Sequence, residues 1–399
     1  MTNALRIGLL TPGWPGTNTP NGIATSVHHL AMGLHALGAT PVIIGPLDGP
    51  APADIPHVEK PAVHWHLLNK IKAKLFDASA LKNRLEIGCI TSAIRTAHAR
   101  HRLDLVIMEE TKGWPAHVIP AVPVPVVINL HGPWALLSTA FEHALTPEDH
   151  ARIALEAKSF AMTPGILAPS ASSMSVTEGI APDTPRAVIP NAYAATPLVD
   201  ESARQPGHIL YVGRVDRLKG ADTVLRAFEQ LAARQPEARL TFVGPDHGLQ
   251  LDDGRTVPMD AAMAELAPGA RSRITFLGQQ DGATIAALRQ SHPVALIASR
   301  YENLNYSLLE ALSAGQAIVA TKVGGPAEVL EDGKTAILVP PADPAPMANA
   351  LERLLCDDTA RGRLGAGGRA LLEERFDPKT VAEQTLEFCR AVLARQSHP

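Results

Sequence analysis

Cysteine is scarce: there are three in 399 residues, Cys89, Cys356 and Cys389, odd in number, far apart and without paired spacing. That excludes a disulfide framework and a cysteine zinc site, and it fits a reducing, cytoplasmic compartment. Long apolar runs are missing too, so no spanning helix, which needs about 18 consecutive apolar residues, is expected. The first apolar segment, Leu5–Leu10, is too short for a secretory h-region and soon meets Pro12 and Gly13. Aromatic residues make up 4% and charged residues 19%, with a net charge of -4, which excludes both a disordered chain and one drawn to nucleic acid by bulk charge. There is no Asp-x-Asp sequence and no histidine cluster, so neither a metal nor a cofactor is expected.

What the chain does have is a repeated alternation of short apolar runs with longer amphipathic stretches, the pattern of parallel sheets covered by helices on both faces. It occurs twice, and 399 residues suffice for two cores. In the first half the expected strands are Leu5–Leu10, Pro41–Ile44, Leu103–Met108, Val124–Leu130, Gly165–Ala168 and Ala187–Ile189. In the second they are His208–Val212, Leu240–Val243, Ile274–Leu277, Val294–Ile297, Ala317–Ala320 and Ala336–Val339. Helices are expected near Ala24–Leu37, Leu81–Ala99 and Pro147–Ala161, then near Ala221–Arg234, Ala283–Arg289, Asn305–Ala314, Pro326–Glu331, Pro346–Leu355 and Val381–Leu393. Pro190–Pro206 has no period and reads as the linker. Two doubly wound α/β domains follow: 1–193, with the chain end at 376–399 packing back on it, and 194–375.

Ligands of such sheets bind beyond the carboxyl ends of the strands. After His208–Val212 comes Gly213-Arg214-Val-Asp-Arg-Leu-Lys219-Gly220, where a glycine allows close backbone approach and two cations suit a pyrophosphate. Solvated loop charges are the plain alternative. Further on, Glu302 and Glu310 frame the start of a short helix that Asn303 or Asn305 can cap, Leu308, Leu309 and Leu312 can bury, and Gly315 can end in the left-handed conformation. Its free amides suit an anion, and a carboxylate beside that anion would accept hydroxyl hydrogens. Alternatively Ser307 to Glu310 is a capping box, with Glu310 returning a bond to the helix start. Gly278, in Phe276-Leu-Gly-Gln-Gln-Asp281, could bring backbone against a nucleobase, whereas Val323-Gly-Gly-Pro326 reads as a structural turn. Gly365-Ala-Gly-Gly-Arg-Ala370 matches a dinucleotide fingerprint in letters but follows a charged helical stretch, not a strand. Gly333-Lys-Thr335 lacks the upstream glycine of a P-loop, where Glu328 stands.

Taken in order, these motifs resemble those of the large retaining glycosyltransferase family 4, whose members share the GT-B fold of two Rossmann-like domains facing each other across a cleft. The resemblance runs end to end, through Thr19-Pro-Asn-Gly22, Asn129-Leu-His131-Gly132, Ile189-Pro-Asn191, Gly213-Arg214 with Lys219, the Glu302 to Glu310 pair and Val323-Gly-Gly325. It implies transfer of a sugar from a UDP- or GDP-sugar to an acceptor hydroxyl with retention, in glycan, polysaccharide or glycolipid biosynthesis. No metal is implied, because Arg214 and Lys219 would neutralise the departing diphosphate. By the same resemblance Glu302 would hold donor-sugar hydroxyls and Glu310 the ribose hydroxyls. Amides of Asn303, Leu304 and Asn305 would face sugar and diphosphate, Gly22 would let its loop approach the phosphates, and His131 would sit near the reacting sugar. The chain departs from the family in having Asn303-Leu304-Asn305 for the usual Gly-Phe-Gly, Ala192 where glycine often follows Asn, and Asn21-Gly22 for two glycines. A nucleotide-sugar epimerase of the same fold and a non-catalytic sugar-nucleotide sensor are the competing classes.

Acceptor information is expected in the first domain. Glu109 and Glu110 end one strand there, and Trp114 and Trp134, each following a strand, could stack on sugar rings or serve the core. His64–Arg102 holds eight Lys or Arg against Asp77 and Glu86, and Trp65, Leu67, Leu68, Ile71, Leu75 and Phe76 recur at helical spacing among Lys70, Lys72 and Lys74. That pattern suits peripheral attachment to an anionic bilayer at the inner face of the membrane and a lipid-linked glycan acceptor. A core-packed helix with a solvated basic face has the same spacing.

Overall fold

The computed structural model describes residues 4–14, 21–46, 54–63, 78–140, 144–199 and 204–396. The chain divides into two compact units, one of Met1–Pro169, Ser173–Ala192 and Pro378–Pro399, the other of Ser170–Ser172 and Tyr193–Asp377.

The first unit is built on seven strands, β1 (Arg6–Leu10), β2 (Thr40–Ile44), β3 (His57–Val58), β4 (Leu105–Glu109), β5 (Val126–Asn129), β6 (Ile166–Ala168) and β7 (Arg186–Val188). They lie parallel in the order β3-β2-β1-β4-β5-β6-β7. Every residue of β4 is buried, which is why its sequence is apolar without alternation until it ends at Glu109. Leu105 and Ile107 enter the core that includes residues of helices Gly22–Ala36 and Pro378–Gln396, while Val106 and Met108 enter the opposite core with helix Ala78–His101. The chain end packs back on this unit through Leu386, Phe388 and Val392, and it approaches closely at Gly33, where a Cβ would run into the carbonyl of Pro378. Helix Gly22–Ala36 starts at Asn21, whose Oδ1 accepts from the amides of Ile23 and Ala24 at 2.9 and 3.3 Å, leaving Gly22 exposed at its first position.

The second unit carries β8 (His208–Val212), β9 (Arg239–Val243), β10 (Leu249–Gln250), β11 (Thr256–Val257), β12 (Ile274–Phe276), β13 (Val294–Ile297), β14 (Ala317–Thr321) and β15 (Ile337–Val339). Six of them form a parallel sheet in the order β12-β9-β8-β13-β14-β15, and β10 and β11 make an antiparallel ribbon. Helices Ala221–Arg234 and Pro344–Cys356 pack on one face around Phe228, Leu231 and Met347; Tyr306–Ser313 and Asp358–Arg375 supply Leu308, Leu312 and Leu372 to the other.

Among the elements that the sequence reading did not anticipate, β3 and the β10–β11 ribbon are too short to leave a periodic signal, and the Gly365 to Ala370 segment lies inside helix Asp358–Arg375. Its glycines are contact surface. A Cβ at Gly365 would meet the carbonyl of Gly315, and one at Gly367 the carbonyl of Lys334. Thr19, Pro20 and residues 64–77, with Trp65, Leu67, Leu68, Lys70, Ile71, Lys72, Lys74, Leu75 and Phe76, lie outside the described residues, so the expected membrane contact has no structural counterpart here. No described helix is long and apolar enough to cross a membrane.

The glycine helix yields a paired test, since a Cβ at Gly362 would meet nothing within 4 Å. Gly362→Ala should stabilise the protein by roughly 0.5–1 kcal/mol, the helix-propensity gain, whereas Gly365→Ala should destabilise it by roughly 1–3 kcal/mol through forced separation of backbones. Urea unfolding of both variants checks the opposite signs.

Candidate functional site

In the second sheet β8 and β13 are neighbours, but β8 is followed by a helix that leads to β9 on one side and β13 by one that leads to β14 on the other. The connections after β8 and β13 therefore diverge at the strand ends, the usual ligand position in open α/β sheets. The first loop is wound around Asp216, whose Oδ2 accepts from Arg214 Nε and whose Oδ1 accepts from the Lys219 amide, both at 2.7 Å. Tyr211 at the end of β8 donates its hydroxyl to the Lys219 carbonyl at 2.7 Å. Gly220 closes the loop at φ +75, where a Cβ would strike the carbonyl of Ala298 on the neighbouring loop.

The second loop delivers Glu302. Its Oε2 accepts from Lys219 Nζ at 2.6 Å, Asn305 Nδ2 at 2.9 Å and Ser299 Oγ at 3.0 Å. No described residue donates to Oε1, so the described donors all converge on one oxygen. Asn305 also caps helix Tyr306–Ser313 by accepting from the Leu308 amide at 3.1 Å. Of the two cap candidates it is therefore Asn305, and the Asn303 side chain instead accepts from Ser170 Oγ at 2.7 Å. Leu304 is buried in the core beside Leu308. Gly324 and Gly325 lie against the carbonyls of Glu302 and Asn303, and the Gly325 amide donates to Glu302 O at 3.1 Å, so this glycine turn seats the Glu302 loop.

Glu310 is not in a capping box, since the helix is capped by Asn305. One turn along, its Oε2 accepts from Nε and Nη2 of buried Arg289 at 3.0 and 2.8 Å. Gly213 is packed against the Tyr211 hydroxyl, and the backbone of Gly244 lies on its carbonyl. Gly278 adopts φ +64 and accepts the Gly244 amide at 2.9 Å, which places it at the end of β12, two strands from β8.

In the first unit the ends of β4 and β5 gather the remaining candidates. Glu110 accepts from the amides of His131 and Gly132 at 2.9 and 2.6 Å. Burial, with the charge of Glu156 adding to it, still pushes its carboxyl up to about 7 against those two bonds. Glu109 is buried with Oε1 lacking any described partner, and burial, reinforced by Glu110, pushes it up to about 8. Burial lowers the His131 ring to about 4, so it is a neutral imidazole near pH 7; Asn129 Nδ2 lies 3.2 Å from its Nε2. Trp134 donates Nε1 to Asp149 at 2.7 Å, and Arg152 covers one face of its ring at 4.2 Å from the centroid. Trp114 packs against the core with its buried Nε1 unpartnered among the described residues, and Lys112 Nζ stands 5.8 Å from the ring centroid.

Sequence reasoning gave no role to Asp216, Ser299, Arg289, Asp222 or Arg300. Arg300 forms two parallel bonds of 2.8 Å to Asp222 in the first turn after the Lys219 loop, and it also donates to the Arg217 carbonyl at 2.5 Å. Its backbone amide reaches the Leu218 carbonyl at 2.8 Å. The one available signal was position: Arg300 and Asp222 each lie within three residues of a charged residue already singled out.

This site and fold define a class, the GT-B architecture of two parallel-sheet α/β units. Sucrose-phosphate synthase from Thermosynechococcus elongatus aligns with a TM-score of 0.76 at 21% identity, covering 98% of this chain and 100% of that one. Anabaena HepE, solved in complex with UDP-glucose, aligns with a TM-score of 0.69 at 17% identity over 97% of this chain and 100% of its own. In sequence, residues 20–194 match Glycosyltransferase Family 4 and residues 206–357 match Glycosyl transferases group 1. The chain belongs to this family of glycosyltransferases. Alpha-D-kanosaminyltransferase of Streptomyces kanamyceticus is 29% identical over 184 residues, 46% of this chain and 45% of that protein. The match thus spans about half the length of the curated relatives.

The Glu109 carboxyl supplies a pH test. Folding raises it from 4.5 to about 8, so between those values the folded chain binds more protons than the unfolded one, and stability is lost as pH rises through the window. The stability of wild type relative to Glu109→Gln, read from urea unfolding, should fall between pH 6.5 and 8, by at most roughly 1.4 kcal/mol per pH unit. A difference that is flat or rises over this interval contradicts the assignment.

Proposed function

We propose that the protein is a retaining glycosyltransferase that moves a sugar from a nucleoside-diphosphate donor, a UDP- or GDP-sugar, to an acceptor hydroxyl. The observation that carries the reading is the contact of Lys219 with Glu302, which brings a cation, a carboxylate and a helix start together at one strand end. Arg214, 41% exposed along its side chain, keeps its outer nitrogens available beyond the bond to Asp216. Binding of UDP-glucose by HepE, a protein of like fold, supports the donor class.

In this reading Arg214 and Lys219 neutralise the β-phosphate as the glycosidic bond breaks, so charge that develops in the transition state meets cations already in place. Those two side chains take the part a divalent metal plays on other diphosphates. The uncommitted oxygen of Glu302 accepts from donor-sugar hydroxyls, and the amides of Asn303, Leu304 and Asn305 face sugar and diphosphate at the helix start. Glu310 takes the ribose, the Gly278 loop the base, and Gly213 and Gly22 let backbone approach the phosphates. The first unit supplies the acceptor side, through His131, Glu109, Glu110, Trp114 and Trp134. Retention follows from attack on the face the diphosphate leaves, with that phosphate taking the acceptor proton, and product belongs to glycan, polysaccharide or glycolipid biosynthesis.

Lys219→Ala and Arg214→Ala should each lower kcat roughly 10²- to 10³-fold, the size seen when one transition-state donor is lost, with a smaller change in donor KM. Steady-state kinetics with a screened donor read the split, and proton NMR of the first product reads the anomeric configuration. Full kcat in Lys219→Ala, or an inverted product, overturns the reading.

A further inference from the structure

Arg289 lies in helix Gly282–Ser291 and is 3% exposed, yet every arm of its guanidinium is engaged. Nε and Nη2 converge on the same oxygen of Glu310, Oε2, at 3.0 and 2.8 Å. Nη2 also donates to Ser307 Oγ at 2.9 Å and Nη1 to Gln316 Oε1 at 3.2 Å. Both of those partners are anchored in turn: Ser307 Oγ donates to the Val212 carbonyl at the end of β8 at 3.0 Å, and Gln316 Nε2 to the His292 carbonyl at 2.8 Å. The Glu310 side chain keeps 27% of its surface, and no described residue donates to its Oε1. A glutamate on a helix face ordinarily turns about three bonds and presents either oxygen. Here the planar fork fixes its direction.

We infer that Arg289 is a positioning residue that turns one oxygen of Glu310 outward and so makes the second unit select a ribonucleoside diphosphate over its 2′-deoxy counterpart. The inference rests on the donor reading given above. A fixed carboxylate oxygen accepts well from the vicinal hydroxyls of ribose, and deleting one hydroxyl forfeits a charge-assisted bond, roughly a tenfold loss of affinity or more. A freely turning carboxylate makes no such distinction, because it trades the sugar for water. Selectivity is thereby set by a residue in the layer beneath the one that meets the ligand.

The test uses the full chain and calorimetric titration with UDP, GDP and ADP, each beside its 2′-deoxy form. Wild type should prefer the ribose form of the nucleotide it binds by roughly tenfold. Arg289→Gln should bring that ratio to within about twofold, with affinity for the deoxy form nearly unchanged, and Glu310→Gln should give the same ratio. Arg289→Lys keeps a buried cation but cannot lay two donors on one oxygen, so its ratio should fall between; it carries the comparison alone if Arg289→Gln does not fold. A purely structural Arg289 would weaken both forms alike, so a wild-type ratio retained in Arg289→Lys overturns the inference and leaves the donor reading standing. Equal binding of the two forms by wild type does the same. A wild type that binds none of the three nucleotides overturns both.

Discussion

The two parallel bonds between Arg300 and Asp222 are the constraint on which the second unit's site depends. Loops at a point where strand order reverses run apart, and nothing in the sheet itself brings their side chains back together. Arg300 does so by reaching from the loop after β13 to the first turn after the β8 loop, and by holding the Arg217 and Leu218 carbonyls on the way. Both partners are about nine-tenths buried, at 11% and 10% exposure of their side chains. Losing one member of such a pair would leave a charge uncompensated, typically a cost of 3–5 kcal/mol. Lys219 meets Glu302 because this deeper pair has already fixed the distance between their backbones.

The two glutamates of this site are held alike. In Glu302 and in Glu310 one oxygen gathers the donors found among the described residues, the first from Lys219, Ser299 and Asn305, the second from Arg289. A carboxylate so arranged is held in one orientation. The carboxyls ending β4 in the first unit behave differently. Glu109 has an oxygen with no described partner, and Glu110 is held by two backbone amides, so burial drives both toward the neutral form. Strand ends thus present carboxylates held by Lys219 and Arg289 in one unit and buried, protonatable acids in the other.

Most of the fold was legible because buried parallel strands must be apolar on both faces. β8 and β13 coincide with the runs His208–Val212 and Val294–Ile297, and Gly315 ends its helix at φ +63 as its position implied. Where pattern fell silent the physical reason is local. Two residues of β10 carry no period, and the glycines at 365, 367 and 368 resemble a loop in letters although helix Asp358–Arg375 uses them to approach the carbonyls of Gly315 and Lys334. Tertiary contact outweighed the poor helix propensity of glycine there.

By itself the amino-acid sequence determined two α/β units, the strand ends at which charge is exposed, and the identities of Arg214, Lys219, Glu302 and Glu310, because hydrophobic period and turn chemistry are local properties of a chain. Only the tertiary structure decided that Glu310 answers to Arg289 rather than to its own helix start, that Asp216 winds the Lys219 loop, and that Arg300 clasps Asp222. The first and last of these join residues on different elements, 21 positions apart for Arg289 and Glu310 and 78 for Arg300 and Asp222, and separations of that kind are set by how a sheet is ordered, which no local pattern encodes.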